Sequence, residues 1–363
     1  MQRPRVKPEH RPYRLADGTI RIGGRVYGAA AEIPDPSGAI WTLLTAMDGT
    51  RDPARLAAHV RVSHQEQSTD DILAAIGQLC ASGYIEDGAV DPPDDFSETE
   101  RERYSRSHAF YRWLDLQPRE DGWQVQRMLR GARATVLGIG GTGGAAALAL
   151  ASTGVGRLHL VDRDVVDLSN LNRQLLYLES DLSRPKVDAA VRRLRQTNSD
   201  ILVTGEQTEI RGAADIAKLA DDCDILVMAA DEPTGVRRWA NEACLSTRTR
   251  WVNAGYSGPQ VTATAYVPGD GPCFECVQAA SDAEAPELWH DTDDRPKPRF
   301  AAASAVSGGM SGLLAGHLAI AQLTGVPAVH PGTVYAMTLI DLSHHFTRQF
   351  PRDADCPACA GRS

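Results

Sequence analysis

Three groups of residues in this chain of 363 have types and spacings that could do chemistry. The first is Gly138, Gly140, Gly141 and Gly143, a turn set directly after the apolar run Thr135 to Leu137 and before an Ala/Leu-rich stretch that reads as a helix to about Ser152. Glycine is required where the backbone must approach a phosphate, and the bare amides of a helix start then attract the anion. A second apolar run, Arg157 to Val161, ends in Asp162, the place from which a Rossmann-type unit holds a ribose through its hydroxyls. A lone glycine turn of this form also occurs without a ligand, so the residues behind it matter. Asp164, Asn170, Arg173, Gln174 and Lys186 follow within a short span. A hydride-transferring enzyme has no use for two cations near the phosphates, whereas an enzyme that expels pyrophosphate does, because charge develops on those oxygens in the transition state.

The second group centres on Asp231, just beyond the buried-strand run Asp224 to Met228. A carboxylate at the carboxyl end of a parallel strand lies in the crevice where open α/β sheets bind ligands. The third is a pair of hooks, Cys273-x-x-Cys276 and Cys356-x-x-Cys359. Four thiolates suit tetrahedral Zn2+ with no open position, so that site is expected to be structural. Cys80, Cys223 and Cys244 are singletons and read as packing residues.

These groups require a doubly wound, Rossmann-like α/β sheet as their frame, and length allows more than one domain. Residues 1–15 read as a basic tail. Residues 16–90 read as a small winged-helix-like domain: alternating residues around Gly23-Gly24 predict a hairpin, and apolar residues at three- and four-residue steps predict helices near Ile40, Leu56 and Ile72. The acidic Pro/Gly stretch from Glu86 to Asp95 marks the boundary, residues 91–100 the linker, and Ser97 with Glu100 a capping box. The remainder, 101–363, carries all three chemical groups and ends in the zinc-bound segment. Ser281 to Pro298 reads as a mobile polar loop, with His290 as a surface residue, and Ala301 to Gly325 as a small-residue helix suited to close packing.

The formal charge of −9 argues against a nucleic-acid partner, which needs a basic footprint, and the helix from Thr69 to Gln78 has no lysine or arginine for phosphate. No apolar run approaches 18 residues and no signal peptide is evident, so a membrane association is not expected. Paired and single cysteines outside a disulfide pattern suit a reducing, cytoplasmic location.

The succession GxGGxG, D-x-D, SNLNRQ (Ser169 to Gln174) and Pro185-Lys186 resembles the ThiF-type adenylating enzymes, from about Arg103 to Cys359. That family includes activators of ubiquitin-like sulfur carriers and the enzyme that matures the peptide antibiotic microcin C. The resemblance implies ATP as substrate, Mg2+ held by Asp231, and Arg173 and Lys186 on the phosphates. It also implies a homodimer in which an arginine in the setting Arg103-Tyr104-Ser105-Arg106 reaches the neighbouring subunit's triphosphate, which makes Arg106 the candidate. The family usually has asparagine after the metal aspartate, with an arginine shortly after; here Glu232-Pro233 follow, a departure that leaves the supporting role of Arg237-Arg238 open. The stretch Asn253 to Tyr256, "NAGY", looks closest to the microcin C enzyme, with Asn253 and Tyr256 as candidates for the acceptor site and packing as the alternative for Tyr256.

The amino-terminal part, with Asp48 to Thr50 and Gly83-Tyr84-Ile85, resembles the PqqD-like peptide clamps of ribosomal-peptide modification systems, which take a leader peptide as an added strand. The expected function is therefore an adenylyltransferase acting on a carboxylate of a precursor peptide. The acyl-adenylate would go to ring closure, to nucleotide retention, or to an external sulfur or amine. The rival readings are an activator of a ubiquitin-like sulfur carrier and a non-catalytic leader-binding partner of a cyclodehydratase.

Overall fold

The structure is a computed structural model and describes residues 1–26, 28–90, 94–284 and 302–361. The expected loop with His290 falls largely on residues 285–301 and lies outside the described residues. The chain divides into two compact units, Met1–Arg127 and Met128–Ser363.

The first unit runs β1 (Pro4–Val6), β2 (Tyr13–Arg14), β3 (Ile20–Ile22), β4 (Ala31–Ile33), α1 (Ala39–Ala46), α2 (Pro53–Ser63), α3 (Thr69–Ala81), β5 (Ile85–Asp87), α4 (Glu98–Arg103) and α5 (Ser105–Leu114). Helix starts follow from local chemistry. Asp52 accepts the Arg55 N–H ahead of Pro53, Ser68 accepts the Asp71 N–H, and Ser97 and Glu100 form the predicted capping box. Ile20 and Ile22 alternate inward from β3 and meet Leu43, Leu44, Leu56, Val60, Ile72 and Ile76 in one core.

Two expectations for this unit are corrected. The strand returning from Gly23-Gly24 begins only at Ala31: a Cβ on Gly23 would lie 2.1 Å from the Ala29 carbonyl oxygen, so the chain first doubles back tightly against the turn. The basic tail is also structured. β1 pairs antiparallel with β5, the Asp87 carboxylate accepts the N–H groups of Gln2 and Arg3, and Arg5 pairs with Glu86 at 2.7 Å. The acidic stretch that reads as a boundary is thus what holds the basic start in place.

Burial pushes His10 and His108 down to about 4 from the ordinary 6.5, with nearby Lys7 adding to the effect on His10 and Arg112 to that on His108. His108 also stacks on Trp123 with ring centroids 4.3 Å apart. Between those values the unfolded chain binds more protons than the folded one, so stability is lost as pH falls from 6.5 toward 4, by up to about 1.4 kcal/mol per pH unit for each group. Denaturant unfolding at pH 7, 6, 5 and 4.5 is expected to show this slope, and His108→Phe, which keeps the stack, to flatten it. An unchanged slope in that variant would place the acid sensitivity elsewhere.

α6 (Gln124–Gly131) leads into the second unit. There follow β6 (Arg133–Leu137), α7 (Gly141–Ser152), β7 (Arg157–Asp162), α8 (Lys186–Thr197), β8 (Leu202–Gln207), α9 (Ala213–Asp221), β9 (Ile225–Met228), α10 (Val236–Thr247), β10 (Arg250–Ser257), β11 (Gln260–Tyr266), α11 (Phe274–Glu284), α12 (Ala305–Thr324), β12 (Val334–Thr338) and β13 (His345–Arg348). They form one mixed sheet in the order β13-β12-β11-β10-β9-β6-β7-β8. The strands from β8 to β10 are parallel and those beyond antiparallel.

Leu226 and Met228 pack with residues of α9 and α10 in one core cluster. α12 packs on α7 through small residues: a Cβ on Gly312 would lie 2.1 Å from the Thr142 carbonyl oxygen, and the Thr142 and Ser311 hydroxyls meet at 2.6 Å. The glycine- and serine-rich sequence of α12 is therefore a helix-to-helix fit within the unit.

Candidate functional site

The chain runs outward from β6 through β7 to β8, then returns to place β9 on the other side of β6. Strand order reverses there, and the loops at the carboxyl ends of β6 and β9 part to leave a crevice. Gly138, at φ +86, turns the chain out of β6; a Cβ on it would lie 2.6 Å from the Ala230 nitrogen. Only glycine permits this approach, and it brings the glycine turn and the segment containing Asp231 to one cavity of about 400 Å³.

Gly138, Gly140, Gly141, Asp162, Asp164, Arg173, Gln174, Lys186, Asp231 and Tyr256 all line this cavity. Asp162 is buried, and its carboxylate oxygens accept the Ile139 N–H at 2.6 Å and the Asp164 N–H at 2.9 Å. Two backbone donors thus fix the carboxylate while leaving lone pairs for a ligand hydroxyl. Lys186 is 5% exposed, and its ammonium donates to Asp164 Oδ2 at 2.8 Å. Lys186 opens α8, where the helix dipole disfavours a cation, and Asp164 supplies the compensating charge before any phosphate is considered. Arg173 donates to the Ser169 carbonyl at 2.6 Å, and the buried Gln174 Oε1 has no hydrogen-bond partner among the described residues. A buried acceptor left open in a cavity wall fits a site built for a ligand.

Three other site candidates lie elsewhere. Gly143 serves packing, since a Cβ there would lie 1.8 Å from the Gly138 oxygen. Asn170 is buried with its Oδ1 accepting the Asp167 N–H at 3.2 Å. Arg106 is exposed on α5 of the first unit.

The structure adds residues that pattern reading passed over. Arg163 spans the cavity mouth between Glu209 at 3.2 Å and Glu232 at 2.6 Å. Its position between Asp162 and Asp164 was the available signal. The cavity lining holds three cations, Arg163, Arg173 and Lys186, against five carboxylates, Asp162, Asp164, Glu209, Asp231 and Glu232. Such a lining does not neutralise a triphosphate by itself, and a divalent cation would offset part of the excess negative charge. The Asp231 side chain is 80% exposed, a hard oxygen donor of the kind that suits Mg2+ bound by one or two carboxylates and substrate phosphates.

Asp231 and Tyr256 also line a second cavity, of about 800 Å³, with Arg237, Arg238, Asn253 and Thr262. The two cavities therefore share a wall. Arg237 lies at that wall, its Nη2 donating to Asp231 Oδ1 at 2.5 Å and its Nε to Asn253 Oδ1 at 3.1 Å.

Away from the crevice, the four cysteines of the two hooks are buried together, with ligand atoms all within 4.8 Å of one another. This cluster could hold a metal ion. Cys223 and Cys244 are buried in the main core, and burial pushes the Cys223 thiol up to about 11, which keeps it from acting as a thiolate.

A mixed sheet with a ligand crevice at its switch point, walled by a glycine turn, a fixed aspartate and a partnered lysine, defines a doubly wound α/β protein built to take a nucleotide-sized ligand. The chain matches the ThiF family over residues 104–358 and belongs to that family. ThiF-family proteins are adenylyltransferases, and this chain is an enzyme of that kind. It is 31% identical to the vegetative HesA protein of Trichormus variabilis over 67% of this chain and 86% of that protein. It is also 31% identical to the sulfur carrier protein ThiS adenylyltransferase of Escherichia coli, over 65% of this chain and 89% of that protein. Among solved structures, Escherichia coli MccB superposes with a TM-score of 0.79 at 22% identity, covering 100% of this chain and 98% of that one. PaaA superposes with a TM-score of 0.70 at 23% identity over 96% of this chain and 100% of that one. These two likenesses concern the fold.

Proposed function

We propose that this enzyme uses ATP to adenylate a carboxylate of a ribosomally made precursor peptide, releasing pyrophosphate. The observation that carries the reading is the wall shared by the two cavities: a nucleotide in the first places its α-phosphate within reach of a carboxylate held in the second. Asp162 would hold the ribose, the amides after Gly140 together with Arg173 and Lys186 the phosphates, and Asp231 a magnesium ion. Magnesium, when bound, draws charge from the phosphate oxygens. The chain's own residues then orient the α-phosphate and exclude other approaches, because a carboxylate is already a nucleophile and the step needs positioning and charge stabilisation more than proton transfer.

The peptide partner rests on the first unit. Among the described residues its strand β4 pairs only with β3, leaving an edge that an extended peptide can join. MccB, which covers nearly the whole chain in fold, has been solved with MccA and with ATP. The match to the ThiS adenylyltransferase takes 65% of this chain, so about a third lies outside it, and that relative supports the rival in which a sulfur-carrier protein is the substrate. A leader-binding unit has no role in that rival. As in the resemblance, a homodimer in which Arg106 serves the other copy's triphosphate belongs to the proposal, as does a cytoplasmic location. No helix among the described residues is long and apolar enough to cross a membrane.

The metal at the cysteine cluster is proposed to be zinc. The sulfurs of Cys276 and Cys359, Cys273 and Cys356, and Cys273 and Cys276 lie 3.6, 3.7 and 3.8 Å apart. Tetrahedral zinc with Zn–S bonds of about 2.3 Å requires about 3.8 Å.

Pyrophosphate release in the presence of a candidate precursor peptide tests the proposal. The free peptide is expected to support release, and the same peptide with its carboxylates amidated to abolish it. Equal release from both would remove the carboxylate from the chemistry.

A further inference from the structure

Resting on that reading, we propose that Arg237 is the residue that receives the incoming substrate carboxylate, and that Asp231 occupies it until a metal-bound nucleotide takes the Asp231 carboxylate away. A carboxylate that approaches an α-phosphate meets like charge, so the acceptor cavity needs a cation at the point of contact. Two arginines line that cavity, and they differ in kind. Arg238 is exposed, whereas Arg237 is partly buried with its guanidinium held at the wall between the cavities.

The two anchors of Arg237 are unequal. Asn253 sits on β10 and holds Nε from the sheet, a neutral contact that nothing in the proposed reaction disturbs. Asp231 holds Nη2 from the loop after β9, with its own side chain largely open to the nucleotide cavity. When that carboxylate turns to a metal ion, Arg237 keeps its Asn253 anchor and loses its counter-charge. Its place reinforces the demand for an anion. Arg237 is the second residue of α10, and the start of a helix favours negative charge and disfavours an unpaired cation. A substrate carboxylate meets the guanidinium fork, in the planar arrangement arginine offers and lysine does not. Nucleotide and metal therefore bind first and prepare the carboxylate site, so carboxylate affinity depends on the metal.

The first test needs no peptide. Each arginine's reactivity toward phenylglyoxal is read by mass spectrometry on the full chain alone, with α,β-methylene ATP, and with α,β-methylene ATP plus magnesium, after calorimetry has established nucleotide binding. Arg237 is expected to react at least threefold faster with magnesium and the analogue together, and to stay unchanged with the analogue alone. Arg238 is expected to change in neither case. Asp231→Asn should expose Arg237 without metal. In pyrophosphate release with a peptide substrate, Arg237→Gln is expected to raise the peptide KM at least tenfold, and Arg237→Lys to recover only part of it. Protection of Arg237, or no change on adding magnesium to a protein that binds the nucleotide, would overturn the exchange and leave the proposed function standing. A wild-type protein that binds no magnesium–nucleotide would overturn both.

Discussion

Lys186→Ala is expected to slow pyrophosphate release by roughly a hundred- to a thousandfold, the usual loss when one fixed donor to a developing oxyanion is removed. The size of the effect follows from how the lysine is held. Its ammonium is buried and positioned by Asp164, so little reorganisation is needed as charge grows on the leaving phosphates. The variant should remain folded, because Asp164 has a side chain 52% exposed and can be solvated when its partner is lost. Lys186→Arg should rescue little: a guanidinium fork does not fit a space built for a single ammonium. The check is pyrophosphate release with thermal unfolding on the same samples. A variant that keeps its melting temperature and more than a third of the wild-type rate would remove Lys186 from the chemistry.

Cys356→Ser is expected to empty the thiolate cluster and to lower the melting temperature by about 10 °C, because metal binding free energy is folding free energy where no preformed site exists in the unfolded chain. The cluster joins the start of α11 to the last described residues, which have little other apolar anchorage: Leu245 and Ala358 are the partly buried residues packed against it. Loss of the metal therefore frees the carboxyl-terminal segment first, and the nucleotide crevice is affected less. Metal analysis should give about one zinc per wild-type chain and far less in the variant. Wild-type protein without bound metal, or a variant with unchanged melting temperature, would refute the structural role.

The parts of this account that were legible in the sequence are those where chemistry is local. Gly138 is forced by a strand-to-helix turn against a neighbouring strand, Ser97 and Glu100 by the open amides of a helix start, and the two CxxC pairs by their convergence on one buried cluster that could hold a metal ion. Apolar runs ending in Asp162 and preceding Asp231 announced parallel strands, and the switch point then explains why they meet. The parts that were not legible depend on pairing between distant segments. The basic start of the chain is ordered by Glu86 and Asp87, some eighty residues away, so neither stretch reveals its role alone. Asp164 as partner of Lys186 is of the same kind. So is Arg237, which in sequence follows the departure from the family pattern at Glu232-Pro233 and in space is the link between two cavities.

The most direct measurement is the intact mass of a candidate precursor peptide after incubation with the protein, magnesium and ATP. The expected result is a mass change that accompanies pyrophosphate release: a gain of one nucleotide if the adenylate is retained, or a loss of water if activation leads to ring closure. A peptide that binds the protein and keeps its mass, with no pyrophosphate released, would contradict it and make the protein a carrier of leader peptide for another enzyme.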